Sequence, residues 1–256
     1  MKSPRVPILV NLPKWLKTAE ILIAADIHNG SAEFDEKRWE RFEELLQRPD
    51  TFVIFAGDQM EYATRSSKSD VYTQTMPPSM QKQWWVEHLR PYKHKVICMV
   101  DGNHEYNRAS KDADDFPIYD IACRLGIEDR YRSEAAFVDI GVGATQGGRR
   151  QIHYVGRVQH QARNNVNFGS ADGFEGIDFF VSGHTHKPMD LPRPKLVYDT
   201  KNKTVMQKDV ENIVSGHFLR YGGYGERAGM RPSSTKLYSV ILSGEKKVIE
   251  TRGFHL

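Results

Sequence analysis

Residues 21–28 read Ile21-Leu22-Ile23-Ala24-Ala25-Asp26-Ile27-His28, an apolar run that stops on a carboxylate and an imidazole. A continuous run of this kind suits a strand buried on both faces. Two further stretches repeat the design. Thr51-Phe52-Val53-Ile54-Phe55-Ala56 ends at Gly57-Asp58, and residues 95–100 end at Asp101-Gly102-Asn103-His104. Between them, 35–47 sets Trp39, Phe42, Leu45 and Leu46 among charges at helical spacing, and a second helix is predicted over 78–89. This strand–helix–strand–helix–strand order predicts a mixed or parallel sheet with helices on its faces. Ligands gather at the carboxyl ends of strands in such sheets. All three runs hand over there to side chains that bind metals.

The second half is richer in strands. They are predicted over 135–142, 151–159, 177–182, 195–200, 204–208, 213–215, 237–242 and 246–251, with one helix over 118–125. Residues 108–116, 161–174 and 221–227 read as polar or glycine-rich loops. No repeat, low-complexity tract or linker interrupts the chain, so residues 1–256 are read as a single domain.

Composition sets outer limits. The chain has 256 residues, 39% apolar and 27% charged, with net charge +3. It is long enough for a sizeable core. No apolar run approaches the roughly 20 residues that cross a bilayer, and the patch 7–10 is too short for a signal-peptide core. A cytoplasmic protein with no membrane partner is expected. Cys98 and Cys123 are the only cysteines, too few for a disulfide framework. Cys98 reads as a small buried hydrophobe. Residues 1–128 carry 17 Lys and Arg against 20 Asp and Glu, and residues 129–256 carry 19 against 13. The basic second half suits an anionic substrate, nucleic acid included.

Four clusters carry chemistry: Asp26-Ile27-His28, Gly57-Asp58-Gln59, Gly102-Asn103-His104-Glu105 and Gly183-His184-Thr185-His186. In extended chain, residues i and i+2 share a side, which would aim Asp26 with His28 and His184 with His186 at one site. Carboxylates and imidazoles suit borderline divalent metals, Mn, Fe, Zn, Co or Ni. No thiolate stands among them, which argues against a structural zinc site. Gly57, Gly102 and Gly183 each precede a polar residue at a strand end, where a sharp turn or close approach is expected. His94, His153, His217 and His255 read as structural or surface residues, His88 as a helix-surface one, and Trp84-Trp85 as helix packing.

The order Asp-x-His, Gly-Asp, Gly-Asn-His-Glu and Gly-His-Thr-His resembles the calcineurin-like metallophosphoesterase superfamily. The resemblance runs from Asp26 to His186 and implies an α/β (α+β) fold, a two-sheet β-sandwich flanked by helices in four layers. It implies two divalent metals, manganese first. Asp26, His28 and His186 would hold one, Asn103 and His184 the other, and Asp58 would bridge them. One more histidine is required, for which His160 is the best match and His153 the competitor. His160 is followed by Gln161, where the family usually has Gly. Glu61 stands where many relatives have Asp and is not counted as a ligand. His104 would protonate the leaving oxygen, and Arg108 would hold a phosphate oxygen.

The expected activity is hydrolysis of phosphomonoesters or phosphodiesters by water activated between the metals. Two alternatives stand beside it. One is a nuclease resembling the double-strand-break repair branch, favoured by Arg149, Arg150, Arg157 and Arg163. The other is a metal-binding scaffold without turnover.

Overall fold

The computed structural model describes residues 3–67, 71–144, 150–160 and 173–256. In chain order the strands and helices begin with β1 (Ile8–Asn11), β2 (Thr18–Ala24), α1 (Glu36–Leu46), β3 (Thr51–Ala56), α2 (Pro78–Leu89) and β4 (Val96–Val100). A wide, π-type helical turn over His104–Ser110 leads into α3 (Lys111–Ala113) and α4 (Pro117–Leu125). Then come β5 (Tyr131–Arg132), β6 (Ala135–Val142), β7 (Ile152–Gln159), β8 (Phe179–Ser182), β9 (Met189–Asp190) and β10 (Arg193–Asp199). The last are β11 (Thr204–Val214), α5 (Gly223–Arg227), β12 (Leu237–Ser243) and β13 (Ile249–Phe254).

The strands form two mixed sheets. One has the order β13-β12-β2-β3-β4-β5, and the other β1-β6-β7-β8-β11-β10 with β9 beside β11. Side chains of β2 alternate between two cores, as a pleated strand requires. Ile21, Ile23 and Ala25 join Val138, Ile140, Val158, Phe179 and Val181 of the other sheet. Leu22 and Ala24 face outward into the helices, with Trp39, Phe42, Trp85, Val86, Ile118 and Ile121. The expected pair of sheets with flanking helices is present. No described helix is long and apolar enough to cross a membrane.

Local chemistry accounts for the helices. The Asp35 side chain accepts from Arg38 N–H at the start of α1, and Trp39, Phe42 and Leu46 are its buried stripe. Pro78 and Pro117 open α2 and α4 at positions that lose no intrahelical bond, and left-handed Gly126 closes α4.

Parallel pairing positions the site. Ala24 lies beside Phe55, and Ala56 beside Val100, so β2, β3 and β4 end together. In the other sheet, β7 and β8 run parallel and end at Gln159 and Ser182.

Several predicted boundaries move. Residues 204–208 and 213–214 belong to one strand, β11, whose first half is an exposed ribbon paired with β10 that carries no buried period, and residue 215 lies just past its end. The last strand starts at Ile249 rather than 246, since a turn bonded between Ser243 and Val248 occupies the residues before it. β1 was not predicted as a strand; pairing with β6 buries Ile8 and Val10. The loop predicted from 108 is helical to Ala113. The turn begins at His104, before the predicted loop, and buries His104, Glu105 and Ala109. Residues 223–227 of another predicted loop form α5.

Candidate metal centre

The backbone departs from expectation at the site itself. Asp26, His28, Asp58, His184 and His186 have φ of 54°, 51°, 50°, 74° and 54°. They are left-handed, not extended, so the i, i+2 argument does not describe them. Their side chains converge because the chain turns sharply at each strand end. Non-glycine residues in this region cost of order 1–3 kcal/mol each and persist where surrounding contacts hold them. The glycines divide into two kinds. Gly57 is left-handed (φ +92°). Gly102 and Gly183 are not among the left-handed glycines, and close approach dictates them instead. A Cβ on Gly102 would lie 2.0 Å from Asp58 Oδ1, and one on Gly183 2.6 Å from Ala25 Cβ.

Among the described residues, three groups of ligand-type atoms result: Asp26, His28 and His186; Asp58, His160 and His184; and His28, Glu61 and His104, which shares His28 with the first. His186 Nε2 is 3.2 Å from Asp26 Oδ1. His160 Nε2 is 3.2 Å from Asp58 Oδ2 and 3.1 Å from Asn103 Oδ1. His184 packs edge-on to His160, with ring centroids 5.2 Å apart. Backbone bonds tie the groups: Asp26 N–H donates to Gly57 O, Ile27 and His28 N–H to Asp58 O, and His184 N–H to both Asp26 carboxylate oxygens.

The donor set fits divalent cations. Among the described residues His28 Nε2 is buried without a hydrogen-bond partner, and it lies 3.9 Å from both Asp26 Oδ1 and Asp58 Oδ2. An orphaned imidazole nitrogen between two buried carboxylates is what a cation would satisfy. Burial opposes ionisation of both carboxyls, yet neighbouring imidazoles hold them below the usual range: His186 for Asp26, and His104 and His160 for Asp58. Burial likewise opposes charge on His160, but Asp58 outweighs it and raises that imidazole to about 10.

Two glutamates brace this arrangement. Glu105 accepts from the N–H groups of Asp58, Met60 and Gly102 at 3.2, 3.0 and 2.8 Å, joining the turns after β3 and β4. Burial and nearby Asp58 raise its carboxyl to about 7. Glu61 lies 3.4 Å from His28 Nδ1 and 3.6 Å from His104 Nδ1. Its backbone oxygen is 2.8 Å from His104 Nδ1, and its carboxylate 3.0 Å from Arg108 Nη1. His104 is buried, and burial pushes its pKa down to about 4.

The structure thus brings together Asp26, His28, Asp58, Asn103, His104, His160, His184 and His186. Arg108 sits beside them with Nη1 on Glu61. His153 lies apart, exposed and 2.7 Å from Asp139. Sequence reasoning gave Glu105 no role, although it stands inside a quoted cluster. His217, read as structural or surface, is buried and stacked on His186. Gly216-His217 repeats the Gly-His pair of 183–184, a signal that was legible. Of the arginines considered for nucleic acid, Arg157 stacks over Phe137 and Phe174, Arg150 is exposed, and Arg149 and Arg163 lie outside the described residues. Trp85 is buried in helix packing, and Cys98 is buried with its thiol raised to about 12.

Comparison with known proteins gives three results. The family model described as calcineurin-like phosphoesterase matches residues 19–188. No curated protein matches. Among solved structures, the calcineurin-like phosphoesterase YfkN from Bacillus subtilis is similar at 14% identity and TM-score 0.43, covering 93% of this chain and 90% of that one. A predicted phosphoesterase from Streptococcus pneumoniae is 13% identical with TM-score 0.38, covering 93% and 99%. A metallophosphoesterase from Sphaerobacter thermophilus is 13% identical with TM-score 0.41, covering 88% and 83%.

Proposed function

The chain belongs to the calcineurin-like phosphoesterase family, and from that premise we propose that it hydrolyses phosphate esters at a centre of two divalent cations. The observation that carries this reading is the convergence of ligand-type side chains around the orphaned His28 Nε2. Asp26, His28 and His186 would hold one cation, Asn103, His160 and His184 would hold the other, and Asp58 would serve both. Manganese is the first choice, with Fe, Zn, Co or Ni accepted by the same donors. When bound, the cations supply Lewis acidity and make water acidic enough to act near neutral pH.

The chain's own groups do the rest. A proton on His28 Nδ1, facing the Glu61 carboxylate at 3.4 Å, leaves the Nε2 lone pair toward Asp26 and Asp58. His104 Nδ1–H donates to Glu61 O at 2.8 Å, so Nε2 is the atom that exchanges a proton with the leaving oxygen. The His104 backbone N–H donates to Asp58 Oδ1 at 2.9 Å, tying that residue to the Asp58 carboxylate. Arg108 Nη1 is committed to Glu61, and its remaining N–H groups are what it offers a phosphate oxygen.

The test is a hydrolysis panel on metal-stripped protein with added manganese. It compares a chromogenic phosphomonoester, a chromogenic phosphodiester, and single- and double-stranded DNA, with Asp58→Asn as control. Manganese-dependent cleavage lost in the control is expected, and the preferred substrate assigns the ester class. Preference for DNA with a steep salt dependence would replace the small-substrate reading with a nuclease. Two bound metals with no turnover on any substrate would favour the scaffold.

A further inference from the structure

We infer that His217 is a positioning residue that fixes the His186 imidazole and thereby sets the strength of the cation site made with Asp26 and His28. This rests on the proposed metal centre. His186 needs such a partner. Its side chain is 31% exposed, and its one polar contact with the other candidate ligands is with Asp26 at 3.2 Å. A side chain left to rotate would lose conformational freedom on binding a cation and weaken the site.

His217 supplies a rigid face. Its ring lies 5.0 Å from that of His186, centroid to centroid, at an interplanar angle of 26°. Rings this far apart and nearly parallel are offset-stacked. His217 is 6% exposed and uses both ring nitrogens. Leu219 N–H donates to Nδ1 at 3.2 Å, which makes Nδ1 the acceptor and leaves Nε2–H to donate to Ser233 Oγ at 2.9 Å. The tautomer is therefore determined and the ring neutral, so it sets no charge against a neighbouring cation.

The segment carrying His217 is a crosspiece between the sheets. Ser215 N–H donates to Ser182 O at the end of β8, and Ser215 Oγ–H to Ile23 O in β2. Phe218 N–H donates to Asp26 O, and Asp35 N–H to Phe218 O. Behind it, a Cβ on Gly216 would lie 2.2 Å from Lys236 O, so the backbone packs there without room for a side chain. The crosspiece binds the same Asp26 that His186 meets, and so references both ligands to one frame.

The experiment measures manganese binding by calorimetry on the full chain, with cobalt absorption as a second readout of ligand geometry. It compares wild type with His217→Ala, His217→Phe and Ser233→Ala. In wild type two equivalents bind. In His217→Ala one site weakens by about 10-fold or more, the other is unchanged, and the cobalt spectrum changes. His217→Phe keeps a ring against His186 and recovers part of the affinity. Ser233→Ala, which removes only the tether, shows a smaller loss at the same site. If His217→Ala does not fold, the Phe and Ser233 variants decide. Two sites of wild-type strength in all folded variants would overturn this inference and leave the metal centre standing. No manganese uptake by wild type would overturn the centre itself.

Discussion

The two sides of the candidate centre are built from similar side chains and held in different ways. On the six-stranded side, Asp26, His28, Asp58 and His104 are buried, and Glu105 and Glu61 brace their turns. On the other side, His184 and His186 are partly exposed, and His186 leans on His217. Backbone hydrogen bonds join the turns after β2 and β3, and the Asp58 and Glu105 carboxylates tie in the turn after β4. The turn after β8 faces the opposite sheet and meets it through fewer bonds. One side is therefore a buried floor, and the other a partly exposed wall.

The largest effect should come from the floor. His104→Ala is expected to retain both metals, read by elemental analysis, while turnover falls about 10²–10⁴-fold. Unchanged turnover in the loaded variant would remove His104 from the chemistry. Next is the brace. Glu105→Ala leaves three backbone N–H groups without their acceptor, at about 1–3 kcal/mol for each group that stays unsatisfied. Denaturant unfolding should show a loss of about 3 kcal/mol or more. A loss under about 1 kcal/mol would mean that the floor is not held by this carboxylate.

The third prediction tests whether the wall and floor share a proton when no metal is bound. His160 titrates at about 10 against an ordinary 6.5. A raised pKa contributes stability that is complete below 6.5 and lost as pH climbs through about 10. The melting temperature of metal-stripped protein should fall across that window. Saturating manganese should flatten the fall, because the cation replaces the proton. The same fall with manganese present would exclude His160 as a ligand. The smallest effect is expected at His153→Ala, within about ±0.5 kcal/mol and with turnover unchanged, since its side chain is exposed. A loss of activity there would reopen its competition with His160.

Much of the floor was legible in the chain. Strand runs at 21–25, 51–56 and 95–100 each end on residues of metal-ligand type, and both features lie within one short window. The wall was less legible. The choice lay between His153, inside a predicted strand, and His160, at its end; the structure sets His160 Nε2 3.2 Å from Asp58 and leaves His153 exposed on Asp139. Glu105 stood in plain view, but its role depends on N–H groups 45 and 47 residues earlier.

The sequence by itself determined which strands are buried and which side chains stand at their ends, because burial period and strand-end polarity are local. Only the tertiary structure decided that Asp26, His28, Asp58, His184 and His186 turn left-handed, that Glu105 braces two turns, and that His217 backs His186. A strained backbone or a stacked ring persists through contacts from elements far apart in the chain, and no local period records them.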